Sequence, residues 1–176
     1  MERCEMDRIN EMEEFLQEAE EILLKERMDR IKSICMNEKD IKEEVLTIVK
    51  ELAAERTEGC IVISFLRSSY VTGSHEFCIA YYEDEPFVEE EPDSRFYSLR
   101  LLFEGIEDDF ISMNNELGNK YIRIFASEKE EIRRWFMEKI YMRLGEVLKL
   151  IFEGVQTDKN LDIFFGSYMG ELDKVN

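Results

Sequence analysis

The chain has 176 residues, with 41 Asp and Glu against 23 Lys and Arg, and a formal net charge of −18 at neutral pH. A chain of this length can bury enough apolar surface to fold as one domain without disulfides or a metal. The negative charge disfavours direct binding to nucleic acid or anionic lipid and favours basic partners. No apolar run reaches the roughly 18 residues of a membrane span, and the acidic N-terminus differs from a signal peptide. We therefore expect a cytoplasmic protein that does not enter membranes.

Cysteine and glycine motifs give no sign of a metal site or a bound cofactor. Cys4, Cys35, Cys60 and Cys78 form no CxxC pair and have no histidine at ligand spacing. Thiols of cytoplasmic proteins usually stay reduced, so we expect four free cysteines. The glycine motifs that hold phosphates are absent as well, so no cofactor is expected.

The first 57 residues predict a helical hairpin. The first helix carries an apolar stripe at alternating three- and four-residue steps, formed by Ile9, Met12, Leu16, Ala19 and Leu23. Such a stripe either packs on the rest of the domain or pairs with a second copy, so a homodimer through the N-terminal helix is an open alternative. Asn37 is expected to cap the second helix.

After the hairpin, the spacing of the apolar residues changes from that of a helix to that of a strand. Residues 60–66 form a nearly continuous apolar run, which predicts a strand buried on both faces. Residues 76–82 predict a second strand after a turn-rich link at 67–74. Residues 96–103 predict a third strand, with the alternate residues Tyr97, Leu99, Leu101 and Phe103 on one face. Three consecutive strands with short links predict an antiparallel meander.

Two further elements are expected after the meander. Residues 106–117 predict a helix that ends at Gly118, and three acids in its first turn suit the helix dipole. Residues 121–125 then predict a fourth strand.

The last part of the chain predicts the longest helix. Ser127 and Glu130 have the spacing of a capping box, and the apolar positions after them continue at helical spacing to Gly154, which is expected to end the helix. Residues 161–165 are either a fifth strand or a docked turn.

Together these elements predict an α+β fold. It consists of an N-terminal helical hairpin, a mostly antiparallel sheet of four or five strands (a meander plus one later strand) and a long C-terminal amphipathic helix packed on the sheet. We expect a single domain over residues 1–176, made of the hairpin at 1–57 and a sheet-and-helix body at 58–176.

One group of polar residues directly follows the first strand. Arg67, Ser68 and Ser69 combine a guanidinium, two hydroxyls and turn amides, which can hold an anion, and His75 is the one histidine of the chain. The alternative is an arginine that pairs with the surplus acids and serines that shape a turn. The sequence favours this alternative, and we assign no catalytic residue because no nucleophile motif accompanies His75.

The densest acidic segment is residues 83–93, EDEPFVEEEPD, which holds seven acids and no base. Its two prolines exclude a central strand, so we expect an exposed loop. The candidate residues for docking a basic protein are its acids, Glu83, Asp84, Glu85, Glu89, Glu90, Glu91 and Asp93. The alternative is a solvated acidic face without a partner, since net charge reports on solubility as well as association.

Two classes of function stay open from the sequence. The first is a non-enzymatic acidic module that binds or inhibits a basic protein, as an immunity protein or a nucleic-acid mimic does. The second is a small enzyme or ligand sensor with an anion held near Arg67, Ser68, Ser69 and His75. The lack of catalytic motifs favours the first class, although active sites often assemble from residues distant in sequence.

Overall fold

The computed structural model describes residues 14–18, 20–54, 56, 58–88, 92–120, 124–153 and 161–176. Its regular elements are a π-helical turn (Glu20–Leu24), α1 (Lys25–Asn37), α2 (Lys39–Ala53), β1 (Cys60–Phe65), α3 (Arg67–Thr72), β2 (Glu76–Tyr82), β3 (Asp93–Ser98), a 3-10 turn (Arg100–Phe103), α4 (Ile106–Lys120), α5 (Ala126–Phe152), β4 (Asp162–Ser167) and β5 (Leu172–Lys174). The fold is α+β, as the sequence predicts. Within these described ranges, no helix combines the length and the apolar character that crossing a membrane requires.

The chain divides into two compact units. The first, here called the helical unit, comprises Met1–Arg30 and Glu104–Ile140, and the second, the sheet unit, comprises Ile31–Phe103 and Tyr141–Asn176. The helical unit contains α4, and the sheet unit contains α2, α3 and the five strands. The expected single domain over residues 1–176 stays a prediction.

The sheet unit is built on a five-stranded sheet in the order β3-β2-β1-β4-β5. β1 pairs antiparallel with β2, and β2 pairs antiparallel with β3. β4 runs parallel to β1, and β5 runs antiparallel to β4. The sheet is therefore mixed, and the expected meander describes only its first three strands.

The two central strands are buried on both faces, as their continuous apolar runs predict. Every residue of β1 is buried, and only the first residue of β2 is exposed. On one face, the Tyr141 ring of α5 lies 5.2 Å from the Phe65 ring and stacks on Phe77 at 5.3 Å. A Cβ added at Gly145 would lie 3.2 Å from the Phe165 ring, so the absence of a side chain there lets α5 approach β4 closely. The long helix thus packs on the sheet, as expected.

The N-terminal helical region differs from the predicted stripe. The π-helical turn at Glu20–Leu24 has a wider period than an α-helix, so the buried face shifts along the sequence. Phe15 and Leu24 are buried, Leu23 is half-buried and Ile22 is exposed. Three members of the predicted stripe lie outside the described residues, namely Ile9, Met12 and Ala19.

Asn37 does not cap the second helix. It is the last residue of α1, and Glu38 holds the N-cap position of α2 without a side-chain hydrogen bond to that helix. The Asn37 Nδ2 donates to the Ser33 Oγ at 3.2 Å, so the side chain turns back to its own helix. The Glu38 N–H donates to the Ile34 O at 2.7 Å and continues the α1 hydrogen-bond series by one residue.

The third strand begins and ends earlier than the sequence predicts. It covers Asp93–Ser98, and Arg100–Phe103 forms a 3-10 turn instead of extended chain. The turn is closed by the Leu102 N–H, which donates to the Leu99 O at 2.9 Å. Because side chains do not alternate through such a turn, Leu101 is exposed. The prediction that alternate residues of this segment share one face is wrong.

The next helix extends past its predicted stop. α4 continues through Gly118 to Lys120, since a glycine inside a helix weakens it without necessarily ending it. Of the predicted fourth strand, residues 121–123 lie outside the described residues, and Ile124 and Phe125 are not in a strand.

The N-terminal cap of α5 lies two residues before the predicted one. The Phe125 N–H donates to the Glu128 Oε2 at 2.7 Å, and the Lys129 N–H donates to the Phe125 O at 3.2 Å. Phe125 is therefore the cap residue, and Glu128 is the acid three positions later that reaches back to it. Ser127 lies inside the helix, and Gly154 lies outside the described residues.

The C-terminal segment forms two strands. The sequence leaves residues 161–165 as either a strand or a docked turn. The structure has a strand over Asp162–Ser167, which pairs parallel with β1. The short β5 was not predicted, because three residues carry too little alternation to recognise. The Asn176 side chain connects the C-terminal residue to the start of β4. Its Oδ1 accepts from the Ile163 N–H at 2.8 Å, and its Nδ2 donates to the Leu161 O at 2.9 Å.

A buried arginine organises the helical unit. The Arg27 Nε donates to the Asp109 Oδ2 at 2.6 Å. Its two Nη atoms donate to the backbone oxygens of Glu104 at 2.8 Å and Gly105 at 2.9 Å. Arg27 is almost fully buried, and a buried charge is tolerated only when it is paired and hydrogen-bonded in this way. The guanidinium therefore ties α1 to the first turn of α4.

Arg27→Gln should lower the free energy of unfolding by about 3 kcal/mol, because Asp109 and two backbone oxygens lose their charged donor. Urea denaturation followed by circular dichroism measures the change. Arg133→Gln is the matched control, since it removes an ion pair with the exposed Glu107 and should cost about 1 kcal/mol or less. Equal losses in the two variants would contradict the assigned role of Arg27.

Candidate functional site

The acidic loop, residues 83–93, is anchored at its two ends by one arginine of the sheet unit. The Arg56 Nη1 lies 3.5 Å from the Glu83 Oε1, and its Nη2 pairs with the Asp93 carboxylate. The guanidinium carbon also lies 4.2 Å from the centroid of the Tyr81 ring in β2, at cation–π distance. Arg56 therefore joins the beginning of the loop to its end.

The middle of the acidic loop is anchored by Phe87. Its ring centroid lies 5.7 Å from that of Tyr82 and 5.3 Å from that of Tyr168, with the rings edge to face in both pairs. Edge-to-face pairs at this distance are favourable beyond the burial of their surface. Phe87 packs on the sheet face opposite α5, against a buried cluster that comprises Cys60, Val62, Cys78, Ala80 and Tyr82.

The two aromatic partners of Phe87 mark opposite ends of the sheet. Tyr82 pairs with Cys60 at the start of β1, whereas the Tyr168 N–H donates to the Phe65 O at 3.0 Å at the end of that strand. The length of β1 between these ends is about 16 Å at 3.3 Å per residue. Because Phe87 contacts both partners, residues 83–87 return to the sheet face after β2 ends.

The described acids of the loop are on its outer side. Glu83, Asp84, Glu85 and Asp93 are all exposed, although Arg56 faces the first and the last of them. The remaining predicted docking residues, Glu89, Glu90 and Glu91, lie outside the described residues. The loop thus combines an anchored apolar side chain with exposed carboxylates.

A tight turn between β4 and β5 supports the middle of the acidic loop through the Phe87–Tyr168 contact. The Gly170 N–H donates to the Ser167 O at 2.9 Å. A Cβ at Gly170 would collide with the Ser167 Oγ, and one at Gly166 would collide with the Glu171 O. The clash at Gly166 is with backbone, so glycine is required at that position of the segment that carries Tyr168.

The predicted anion-binding residues lie on and beside α3, which replaces the expected turn. Arg67 and Ser68 are exposed in its first turn, whereas Ser69 is buried. The Ser69 Oγ donates to the Glu76 O at 2.9 Å, and the His75 N–H donates to the Ser69 O at 3.3 Å. The structure thus brings Ser69 and His75 together through the backbone, while Arg67 and Ser68 lie at the surface.

His75 is a buried residue of the sheet unit, with 6% of its surface exposed. Its ring stacks on Phe103 with 4.1 Å between centroids and 3° between planes. Its Nδ1 lies 2.9 Å from the Tyr141 hydroxyl, within hydrogen-bond distance. The backbone φ of 50° is in the left-handed region, which non-glycine residues seldom adopt. These contacts make His75 a packing residue between α5 and the 3-10 turn.

Burial raises the pKa of three groups in the sheet unit, Cys35, Cys78 and Tyr97. Burial raises the pKa of the Cys35 thiol to about 11. Burial also raises the pKa of Tyr97 well above its ordinary value, and the hydrogen bond that its hydroxyl donates to the Glu44 Oε2 at 2.6 Å adds to the rise. All three groups are therefore protonated at neutral pH, and Cys35 and Cys78 lack the thiolate that reactive cysteines need.

The described cysteines form no disulfide, as predicted. Cys35, Cys60 and Cys78 are buried and unbridged, and Cys4 lies outside the described residues. Across the part of the chain that the structure describes, no three His, Cys, Asp or Glu side chains come together as metal ligands would.

Models of protein families, curated proteins and solved structures give no match to this chain. The interpretation of the acidic loop therefore depends on its own contacts and charges.

The two anchors of the loop were not among the residues predicted from the sequence. Phe87 carries a usable signal, since a large aromatic residue within an otherwise acidic loop is expected to find an apolar partner. Arg56 carries no such signal, because one base among the many charges near the end of α2 is indistinguishable from a solvated one.

Phe87→Ala should lower the free energy of unfolding by about 2 kcal/mol, because the cluster on that sheet face loses an aromatic cover. Phe96→Ala is the matched control: Phe96 is on the same face of the neighbouring β3, opposite Cys78, but is exposed, so its loss should cost about 0.5 kcal/mol. Urea denaturation compares the two variants. A Phe87→Ala variant as stable as Phe96→Ala would show that Phe87 does not anchor the loop.

Proposed function

We propose that this chain is a non-enzymatic module that binds a basic protein, with the acidic loop as its docking site. The observation that supports the proposal is the packing of Phe87, in the middle of the loop, against the sheet face. Arg56 adds exposed ion pairs with the two ends of the loop. Anchoring restrains the backbone beside the described carboxylates before a partner arrives, so less conformational entropy is lost on binding.

The local charge supports the same docking site. The loop has seven acids and no base over residues 83–93, whereas α2 mixes four acids with three bases over Lys39–Ala53. A cationic partner is attracted by the summed field of many charges of one sign. On α2 the interspersed lysines cancel most of that field, so the loop is the stronger electrostatic target.

The proposal includes an inhibitory role. If the basic partner is a nuclease or another nucleic-acid-binding protein, the acidic loop covers the cationic surface that the partner needs for its phosphates. An immunity protein or a nucleic-acid mimic acts in this way. The cytoplasmic location and a homodimer through the N-terminal helix stay predictions.

The second function class also stays a prediction. An anion site near Arg67, Ser68, Ser69 and His75 would make the chain a small enzyme or ligand sensor. Two of its polar groups already have partners within the protein, since the Ser69 Oγ donates to the Glu76 O and the His75 Nδ1 lies against the Tyr141 hydroxyl.

Neutralising the described loop acids tests the proposed docking site. The variant Glu83→Gln/Asp84→Asn/Glu85→Gln should bind a fluorescent lysine homopeptide roughly 10-fold more weakly than the unmodified chain at about 0.05 M salt, since three attractive charges are lost. Fluorescence anisotropy measures the dissociation constant. The difference should shrink as salt is raised, because the Debye length falls from about 10 Å at 0.1 M to about 3 Å at 1 M.

The matched control is Asp40→Asn/Glu43→Gln/Glu51→Gln, which removes the same charges and residue types from exposed positions of α2. This control should weaken binding of the lysine homopeptide by about twofold at most, since only the total charge changes. Equal losses in the two variants would mean that binding follows net charge, and would reject the loop as a docking site.

A further inference from the structure

An exposed apolar patch lies where the acidic loop meets the β4–β5 turn. It consists of Phe87 and Tyr168, whose rings are in contact at 5.3 Å, and of the residues that follow them, Val88 and Met169. Val88 and Met169 are each 68% exposed. We call these four residues the tip patch. Exposed apolar groups gathered at one place are typical of interaction surfaces.

The tip patch is formed before any partner binds. Phe87 is fixed against the sheet cluster, and the Tyr168 backbone N–H is bonded to β1. Phe87 and Met169 also adopt left-handed backbone angles, with φ of 65° and 57°. Such angles are costly for side chains other than glycine and persist where surrounding contacts impose them.

Acidic residues lie beside the tip patch in both of the segments that form it, the acidic loop and the β4–β5 turn. Glu83, Asp84 and Glu85 precede Phe87 and are exposed, and Glu171 follows Met169 and is exposed. The sequence has no Lys or Arg in residues 83–94 or in residues 161–173. A ligand of the patch therefore meets apolar surface flanked by negative charge.

We propose that the tip patch receives apolar side chains from the docking segment of the basic partner, and that this segment carries apolar residues among its lysines or arginines. The inference rests on the proposed function, which it deepens by naming the chemistry of the partner. Charge complementarity selects this occupant over a second copy of the chain, because a second copy would bring the same carboxylates together.

Two synthetic peptides separate the apolar contribution from the ionic one. One alternates lysine with leucine, and the other alternates lysine with serine at equal length and charge. The variant Val88→Ser/Met169→Gln should bind the lysine–leucine peptide about 10-fold more weakly than the unmodified chain, because two apolar contacts are lost. Its affinity for the lysine–serine peptide should be unchanged. Fluorescence anisotropy gives both constants.

The matched control is Val71→Ser/Met36→Gln, which makes the same two substitutions at positions with 61% and 68% exposure elsewhere in the sheet unit. This control should bind both peptides as the unmodified chain does. Urea denaturation of each variant verifies that all of them are folded.

The possible results distinguish the inference from the proposed function. The inference would be overturned if Val88→Ser/Met169→Gln bound the lysine–leucine peptide as the unmodified chain does, or if the control lost as much affinity. In either case, binding of the lysine–serine peptide would still support the acidic docking site. If that peptide does not bind the unmodified chain at low salt, the proposed function itself fails. If sedimentation shows a dimer that Val88→Ser/Met169→Gln dissociates, the occupant is a second copy and the inference is overturned.

Discussion

The contact between Phe87 and the sheet joins the acidic loop to the core of the sheet unit. The central strands β1 and β2 are buried on both faces, so each face must be covered by other parts of the chain. Helix α5 packs on one face through Tyr141. On the other face, the Phe87 ring packs on the buried cluster and reaches the turn that carries Tyr168. A segment whose composition favours solvent is thereby held against the core.

The same contact connects the fold to the proposed function. Phe87 packs on the sheet and Arg56 pairs with both ends of the acidic loop. The described carboxylates of the loop, Glu83, Asp84, Glu85 and Asp93, are exposed. The net charge of −18 alone would give a diffuse attraction for any cation. An anchored loop beside an apolar patch holds its charged and apolar groups in a defined arrangement. Such an arrangement allows one basic partner to be preferred over another.

Local patterns were sufficient to predict some elements and insufficient for others. The apolar runs of β1 and β2 fixed their bounds to within a residue, because a buried central strand has an unbroken apolar sequence. The predicted end of β3 is wrong, since Arg100–Phe103 is a 3-10 turn whose Phe103 ring packs 5.1 Å from the Tyr141 ring, a contact that local spacing does not reveal. The acidic loop was recognised from its charge, but its anchors were not, because the Phe87–Tyr168 contact joins segments that no local spacing relates.

Nuclear Overhauser measurements between aromatic rings test the central claim most directly. With the ring centroids of Phe87 at 5.7 Å from Tyr82 and 5.3 Å from Tyr168, protons of the Phe87 ring should give cross-peaks to both tyrosines in the unmodified chain. Their chemical shifts should also be dispersed by the neighbouring rings. Cross-peaks to neither tyrosine, with Phe87 ring shifts at the values of an unstructured peptide, would contradict an acidic loop that is anchored on the sheet.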